Sequence, residues 1–199
     1  SGDGNAIYRY PPNEKNDQWE EVIAASFDQQ FKTVVKEVSN ELFFQKFTSM
    51  GGIVEEFLEG EIKMSPSVQC VIGPDKQIEI ASTHDQLLGG EDGQVFLGAV
   101  FPASEEYNVS MAAEGKKIAE TLAQKGAMGR FAVDFISLKQ EDGNWKHYAI
   151  EINLRKGGTT HPYLMLQFLT DGRYDAEKGQ FITAGGNKRF YFASDNVYK

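Results

Sequence analysis

The tetrapeptide EDGN, Glu141 to Asn144, constrains the fold more than any other stretch of this chain. It stands between two strand-like runs, RFAVDFISLK and WKHYAIEINLR. Asp-Gly flanked by alternating patterns is a strong hairpin signal, because glycine supplies the positive φ that a tight turn needs. An antiparallel pair follows, and with it a register. If Asp142-Gly143 forms a two-residue turn, Glu141 faces Asn144, and counting back sets Asp134 opposite Glu151 and Arg130 opposite Arg155. Directly opposed residues have Cβ atoms about 5 Å apart. At an effective dielectric near 20, two carboxylates there repel by about 3 kcal/mol. A proton, a cationic side chain or a metal ion must offset that repulsion.

Glu151, Asn153 and Arg155 alternate with Ile152 and Leu154, so the three polar side chains share one face of their strand. A solvated face carrying a ladder of salt bridges would satisfy this pattern. The opposed acids point elsewhere. Asp134, Glu151 and the Asn153 amide form an all-oxygen set suited to a hard divalent cation, with magnesium the natural choice. Arg130 and Arg155 give the same face a cationic end, which suits a metal-bound polyphosphate. His147 falls on the face of Trp145 and Ala149, which this register also gives Glu151, and it is assigned no role. Directly after the strand, Lys156, Gly157, Gly158, Thr159 and Thr160 offer backbone N–H groups, two hydroxyls and a charge to an anion. His161, before Pro162, reads equally as a substrate contact or as part of the turn.

The rest of the chain reads as α+β, with a mixed, mainly antiparallel sheet and packed helices. NAIYRY is a short strand stopped by Pro11 and Pro12. Asp17 and Glu20 form a capping-box signature before helical spacing from Trp19 to Val38, and a second helix spans Ser39 to Phe47, ended by Gly51-Gly52. GGIVEEFLEGEI, IKMSPSVQCVI and QIEIAST read as strands, the last two joined by GPDK. THDQLLGGEDGQVFLGAVFP reads as a polar, glycine-rich loop with a strand at its end, in which His84, Asp85 and Glu91 are either acceptor contacts or ordinary loop residues. A helix starts near Ser104, with Tyr107, Met111, Gly115, Ile118, Ala119 and Leu122 on one face. FITAGGNKRFYFA reads as a hairpin.

Composition narrows the partners. With 199 residues, 41% hydrophobic and 12% aromatic, the chain can bury a sizeable core. A net charge of -9 argues against electrostatic binding to nucleic acid or to an anionic membrane. No run approaches the roughly 18 apolar residues of a membrane span. The single cysteine, Cys70, permits no intrachain disulfide and reads as buried and inert, so the expected compartment is the reducing cytoplasm.

The sheet residues resemble the second half of the ATP-grasp fold. In that superfamily an acidic residue on one strand, with Glu and Asn on its neighbour, holds magnesium–ATP, and Asp134, Glu151 and Asn153 match these. Arg155 matches the residue that contacts phosphate and the acyl phosphate, with Arg130 a weaker helper. SGDGN resembles the flexible glycine-rich loop over the ATP phosphates, through Gly2, Gly4 and Asn5. GIVEEFLEGE resembles the hinge strand between subdomains, which implies adenine contacts at Glu55, Glu56 and Leu58 and a ribose contact at Glu61.

A closer likeness, through EGEIKMSPSVQ, STHDQLLGGEDGQVFLG, GRFAVDF and EINLRKGGTTHPY, is to the carboxy-terminal part of pheganomycin-type peptide ligases. It implies ATP-dependent joining of a small-molecule carboxylate to an amine or peptide acceptor through an acyl phosphate, with Gly157, Gly158, Thr159, Thr160 and His161 near the substrate. It also implies that residues 1–199 form an ATP-grasp domain lacking its amino-terminal subdomain, a missing part of the same protein. The loop and helices would lie in 1–50, and the hinge and metal/nucleotide subdomain in 51–199. The alternatives are a non-catalytic ATP-grasp-like module that binds nucleotide or peptide, and a metal-dependent hydrolase using the same carboxylates.

Overall fold

A computed structural model describes residues 5–10, 19–35, 37–89 and 95–194. Its elements are, in order, β1 (Ala6–Tyr8), α1 (Trp19–Gln30), β2 (Phe31–Thr33), α2 (Asn40–Met50), β3 (Lys63–Met64), β4 (Pro66–Ile72), β5 (Ile78–Gly89), β6 (Val95–Phe101), α3 (Asn108–Gln124), β7 (Gly129–Lys139), β8 (Trp145–Asn153), α4 (Thr160–Thr170), β9 (Arg173–Asp175), β10 (Gln180–Ile182) and β11 (Tyr191–Ser194). The chain divides into two compact units, 1–56 with 89–95, and 57–88 with 96–199. The fold class is α+β with an antiparallel sheet, as the sequence implies. Among the described residues no helix is long and apolar enough to cross a membrane.

In the first unit, β1 pairs with β2, with Tyr8 opposite Phe31. The helical spacing expected through Val38 stops at Gln30, because Phe31–Thr33 finds a strand partner in Ala6–Tyr8. Pairing overrides local helical preference here, in a stretch rich in β-branched residues. Tyr8, Phe27, Phe31, Phe43, Phe44 and Phe47 stack along this unit. Ser39 caps α2 by accepting the Leu42 N–H, and the Gly51 N–H closes the helix on the Phe47 carbonyl. The segment after it is not the expected hinge strand. Residues 51–60 carry no strand, and Ile53 and Val54 are exposed. No pairing forms along this stretch among the described residues, and its backbone stays irregular.

The second unit is a sheet ordered β11-β6-β5-β4-β7, with β8 on the far edge of β7 and β3 continuing the line of β4 along β7. α3 covers one face. Met111, Ala119 and Ala123 pack on Val68, Cys70, Ile72, Phe131, Val133 and Phe135. Each fully buried aliphatic or aromatic side chain there contributes about 1.5–3 kcal/mol. Gly115 permits the close approach, since a Cβ at this position would come within 2.8 Å of Val68. Cys70 is buried in this layer, its thiol pushed up to about 12 by burial. On the other face Phe101, Tyr163 and Phe181 form a second cluster with Val71, Leu166, Tyr174 and Tyr191. The helix α4, which supplies Tyr163 and Leu166, was not legible in the sequence. The expected FITAGGNKRFYFA hairpin is reduced to a single bridge, Ile182 to Lys188. β10 pairs with β9, and β11 leaves to pair with β6, where it covers an edge.

Candidate active site

The β7–β8 hairpin reaches its register by an unexpected route. Gln140 and Asn144 are hydrogen-bonded across the tip (2.7 Å), and the Gly143 N–H closes onto the Gln140 carbonyl (2.9 Å) with φ of 83°. The tip therefore spends Glu141, Asp142 and Gly143, one residue more than a two-residue turn. Phe135 consequently faces Ala149. A β-bulge at Ile150 then takes up one more residue of β8, and Asp134 faces Glu151. The two departures cancel. The bulge also turns Glu151 away from His147, correcting the shared face expected for them. His147 points to α3, hydrogen-bonding Ser110 Oγ (2.8 Å) and buried Ser137 Oγ (2.7 Å). Glu151 and Asn153 lie on the opposite face with Asp134.

On that face the rows run straight across the sheet. Glu151, Asp134, Ser67 and His84 are successive neighbours, as are Asn153, Ala132, Gln69 and Ser82. Asp134 carries the electrostatic load. Its pKa is raised to about 6, by burial first and then by the charge and hydrogen bond of the Glu151 carboxylate, while Gln86 and the Arg155 guanidinium oppose the shift. Gln86 Nε2 donates to Asp134 Oδ1 at 2.9 Å, and Asn153 Nδ2 donates to Oδ2 at 3.0 Å. Gln86 was missed in the sequence. β5 runs to Gly89, past the point where a loop was expected, and only that extension brings Gln86 toward β7.

Asp134, Glu151, Asn153 and Arg155 thus come together. Arg130 does not face Arg155: β8 ends at Asn153, and the Arg155 N–H turns back onto the Asn153 carbonyl (2.7 Å). Arg130 pairs with Val71 and lies four residues along β7 from Asp134, about 13 Å at strand rise. Its guanidinium stands over the Tyr163 ring, 5.9 Å from the centroid.

The glycine turn closes on itself. The Gly157 N–H donates to Thr160 Oγ1 (3.2 Å), and the Thr160 N–H returns to the Gly157 carbonyl (3.1 Å). Thr159 and Thr160 are buried, while His161 is exposed in the first turn of α4. Glu55, Glu56 and Glu61 are exposed, and the Leu58 carbonyl accepts the Lys63 ammonium (3.3 Å). Asn5 accepts the Val34 N–H (3.0 Å), whereas Gly2, Gly4 and Glu91 lie outside the described residues. His84 and Asp85 are structural. His84 is fully buried, lowered to about 3 by burial, and bonded to Tyr191 Oη at 2.7 Å. Asp85 accepts the Ser104 N–H (2.8 Å) and the Tyr107 hydroxyl (2.5 Å).

The donor set fits a magnesium-type ion. Among the described residues no group of three or more His, Cys, Asp or Glu converges. Two carboxylates and an amide do converge, and the pKa of one carboxylate is raised by burial and by its acidic neighbour. Magnesium characteristically takes one or two protein carboxylates and leaves the rest of its shell to water and phosphate.

The chain is similar to known proteins in sequence and in fold. Over 151 residues the chain is 36% identical to the L-propargylglycine--L-glutamate ligase of Streptantibioticus cattleyicolor, covering 76% of this chain and 30% of that protein's length. The biotin carboxylase of Campylobacter jejuni, solved with a βγ-ATP complex, superposes with a TM-score of 0.50 at 14% identity, covering 71% of this chain and 31% of that one. The N5-carboxyaminoimidazole synthetase of Staphylococcus aureus gives a TM-score of 0.47 at 14% identity, over 88% of this chain and 44% of that one. At 14% identity the carboxylase speaks to fold alone. The family model described as IQCH-like, ATP-grasp matches residues 16–177, and the chain belongs to this ATP-grasp family.

Proposed function

We propose that this chain supplies the magnesium–ATP site of an ATP-dependent carboxylate–amine ligase that works through an acyl phosphate. The observation that carries the reading is the facing pair Asp134 and Glu151, with the Asn153 amide beside it and a proton affinity in Asp134 that an ion would replace. The 36% identical relative is named as a ligase of two amino acids, and an amino-acid carboxylate with an amino-acid or peptide amine is the substrate class we assign. Asp134, Glu151 and Asn153 would hold the ion, which would neutralise charge on the ATP phosphates.

The chain's own residues orient the reactants. Arg155, already close enough to lower the Asp134 pKa, faces the transferring phosphoryl and then the oxyanion of the adduct. The closed Gly157–Thr160 turn fixes the backbone beside it, and His161 at its exposed end meets the substrate. Arg130, about 13 Å along β7 from Asp134 and over the Tyr163 ring, is given no part in this step. Gly2, Gly4 and Asn5 cover the phosphates, and Glu55, Glu56, Leu58 and Glu61 take the nucleoside. The carboxylate–amine chemistry follows from positioning and charge neutralisation rather than from a side-chain nucleophile. Residues 1–199 act as an ATP-grasp domain that works with an amino-terminal part of the same protein, in the ATP-holding, thiol-reducing cytoplasm.

The test uses the full-length gene product. ADP release should require both a carboxylate and an amine, and 18O should pass from the labelled carboxylate to phosphate. A nucleotide-dependent melting shift with no turnover on any amino-acid pair would instead make it a binding module. Cleavage without ATP would make it a hydrolase.

A further inference from the structure

Asp134 has two carboxylate oxygens, and each has a different partner. Oδ2 accepts Asn153 Nδ2, from a residue of the ion-binding set itself. An amide there can turn its oxygen toward an ion and release Oδ2. Oδ1 accepts Gln86 Nε2 at 2.9 Å, from a strand on the far side of β4. The backbone of Gln86 is anchored on the sheet. Its own N–H is tied to the Ser65 carbonyl (3.2 Å). Its neighbour Asp85 is locked by Ser104 and Tyr107.

We propose that Gln86 is a positioning residue that keeps Oδ1 of Asp134 engaged, so that Asp134 meets a divalent ion through Oδ2 alone, and that this one-oxygen geometry selects a small octahedral ion over calcium. The proposal rests on the reading of Asp134, Glu151 and Asn153 as an ion site. Its physical basis is the difference between the two ions. Calcium takes six to eight oxygens at about 2.3–2.6 Å and readily accepts both oxygens of one carboxylate, whereas magnesium demands six at about 2.0–2.1 Å. Holding back one oxygen removes a ligand that calcium uses and magnesium does not.

The experiment measures displacement of Mn2+ by Mg2+ and by Ca2+, followed by electron paramagnetic resonance, on the full-length gene product with a non-hydrolysable ATP analogue. Gln86→Met keeps the length of the side chain and deletes the donor. It should leave the melting temperature nearly unchanged and weaken Mg2+ by about 10-fold or more, the usual effect of losing a ligand's supporting hydrogen bond. Ca2+ loses the same support but gains the freed Oδ1 as a ligand, so it should change by less than about 3-fold or tighten, and the preference for Mg2+ narrows. Gln86→Asn, whose amide falls one methylene short, should narrow it in the same direction and serves if Gln86→Met does not fold. An unchanged ratio, or equal weakening of both ions as a direct ligand would give, overturns the proposal. Asp134→Asn separates the two layers of the argument. If it weakens both ions while Gln86→Met alters nothing, the site stands and this proposal falls. If Asp134→Asn also alters nothing, both fall.

Discussion

Asp85 and Asp134 sit on one sheet, both raised by burial, yet their surroundings differ in kind. At the β5–α3 corner, Asp85 receives a backbone N–H and a tyrosine hydroxyl, both of which lower its pKa, and its charge is opposed by burial alone. At the β7–β8 ladder, Asp134 receives two amides but faces a second carboxylate, which opposes its charge as well. Burial alone therefore does not mark a functional acid. The mark we propose is a buried acid that also faces a second carboxylate.

This contrast can be broken at four points. The largest expected effect is on turnover: Asp134→Asn in the full-length gene product should cut Mg2+-dependent ATP turnover by about 100-fold or more, equivalent to about 2.7 kcal/mol of barrier. Retained turnover would place the ion elsewhere. Next, Asp85→Ala should destabilise the fold by about 2–4 kcal/mol in urea titration, because it strands the Tyr107 hydroxyl and the Ser104 N–H. Its effect on ion affinity should be small, and a large one would dissolve the distinction between the two acids.

The third effect runs the other way. The folded state keeps a proton on Asp134 up to about pH 6, whereas an ordinary aspartate loses it near 3.8. Folding stability therefore falls as pH rises through that window and stays lowered above it. Without divalent ions Asp134→Asn should then be the more stable protein at pH 8, by about 2 kcal/mol after allowance for screening, and gain nothing at pH 4. Melting curves at the two pH values check this. The smallest effect belongs to the opposite face. His147→Ala removes bonds to Ser110 and Ser137, and should cost about 1 kcal/mol of stability with turnover unchanged.

The hairpin was legible in the sequence because the Asp-Gly signal lies within ten residues of both acids, but the acid pair followed from a turn one residue too short, an error that the bulge at Ile150 cancels. The same logic failed one step further on. Arg155 was expected to continue the ladder, but β8 ends at Asn153, and nothing in the alternation of Glu151, Asn153 and Arg155 announces that stop. Gln86 was hidden for a different reason. Its link to Asp134 depends on two successive strand pairings, β5 with β4 and β4 with β7, and on β5 continuing through a polar stretch that reads as loop. α4 was hidden because THPYLMLQFLT begins with a turn-like His-Pro and is apolar on most sides, so no helical stripe stands out. In α1, helical spacing was present, but a distant strand claimed its last third.

The bulge at Ile150 shifts the phase of β8 by one residue, so that Glu151 and Asn153 leave the face of His147 and Ala149. Residues added at Glu141–Gly143 would lengthen an exposed tip while the acids stay in step. Straightening the bulge with Ile150 retained would set Ile150 against Asp134 and rotate Glu151 and Asn153 to the α3 side, whereas deleting Ile150 would leave Glu151 opposite Asp134 in a regular ladder. The placement of the acids thus hangs on the extra residue staying looped out, not on the isoleucine itself.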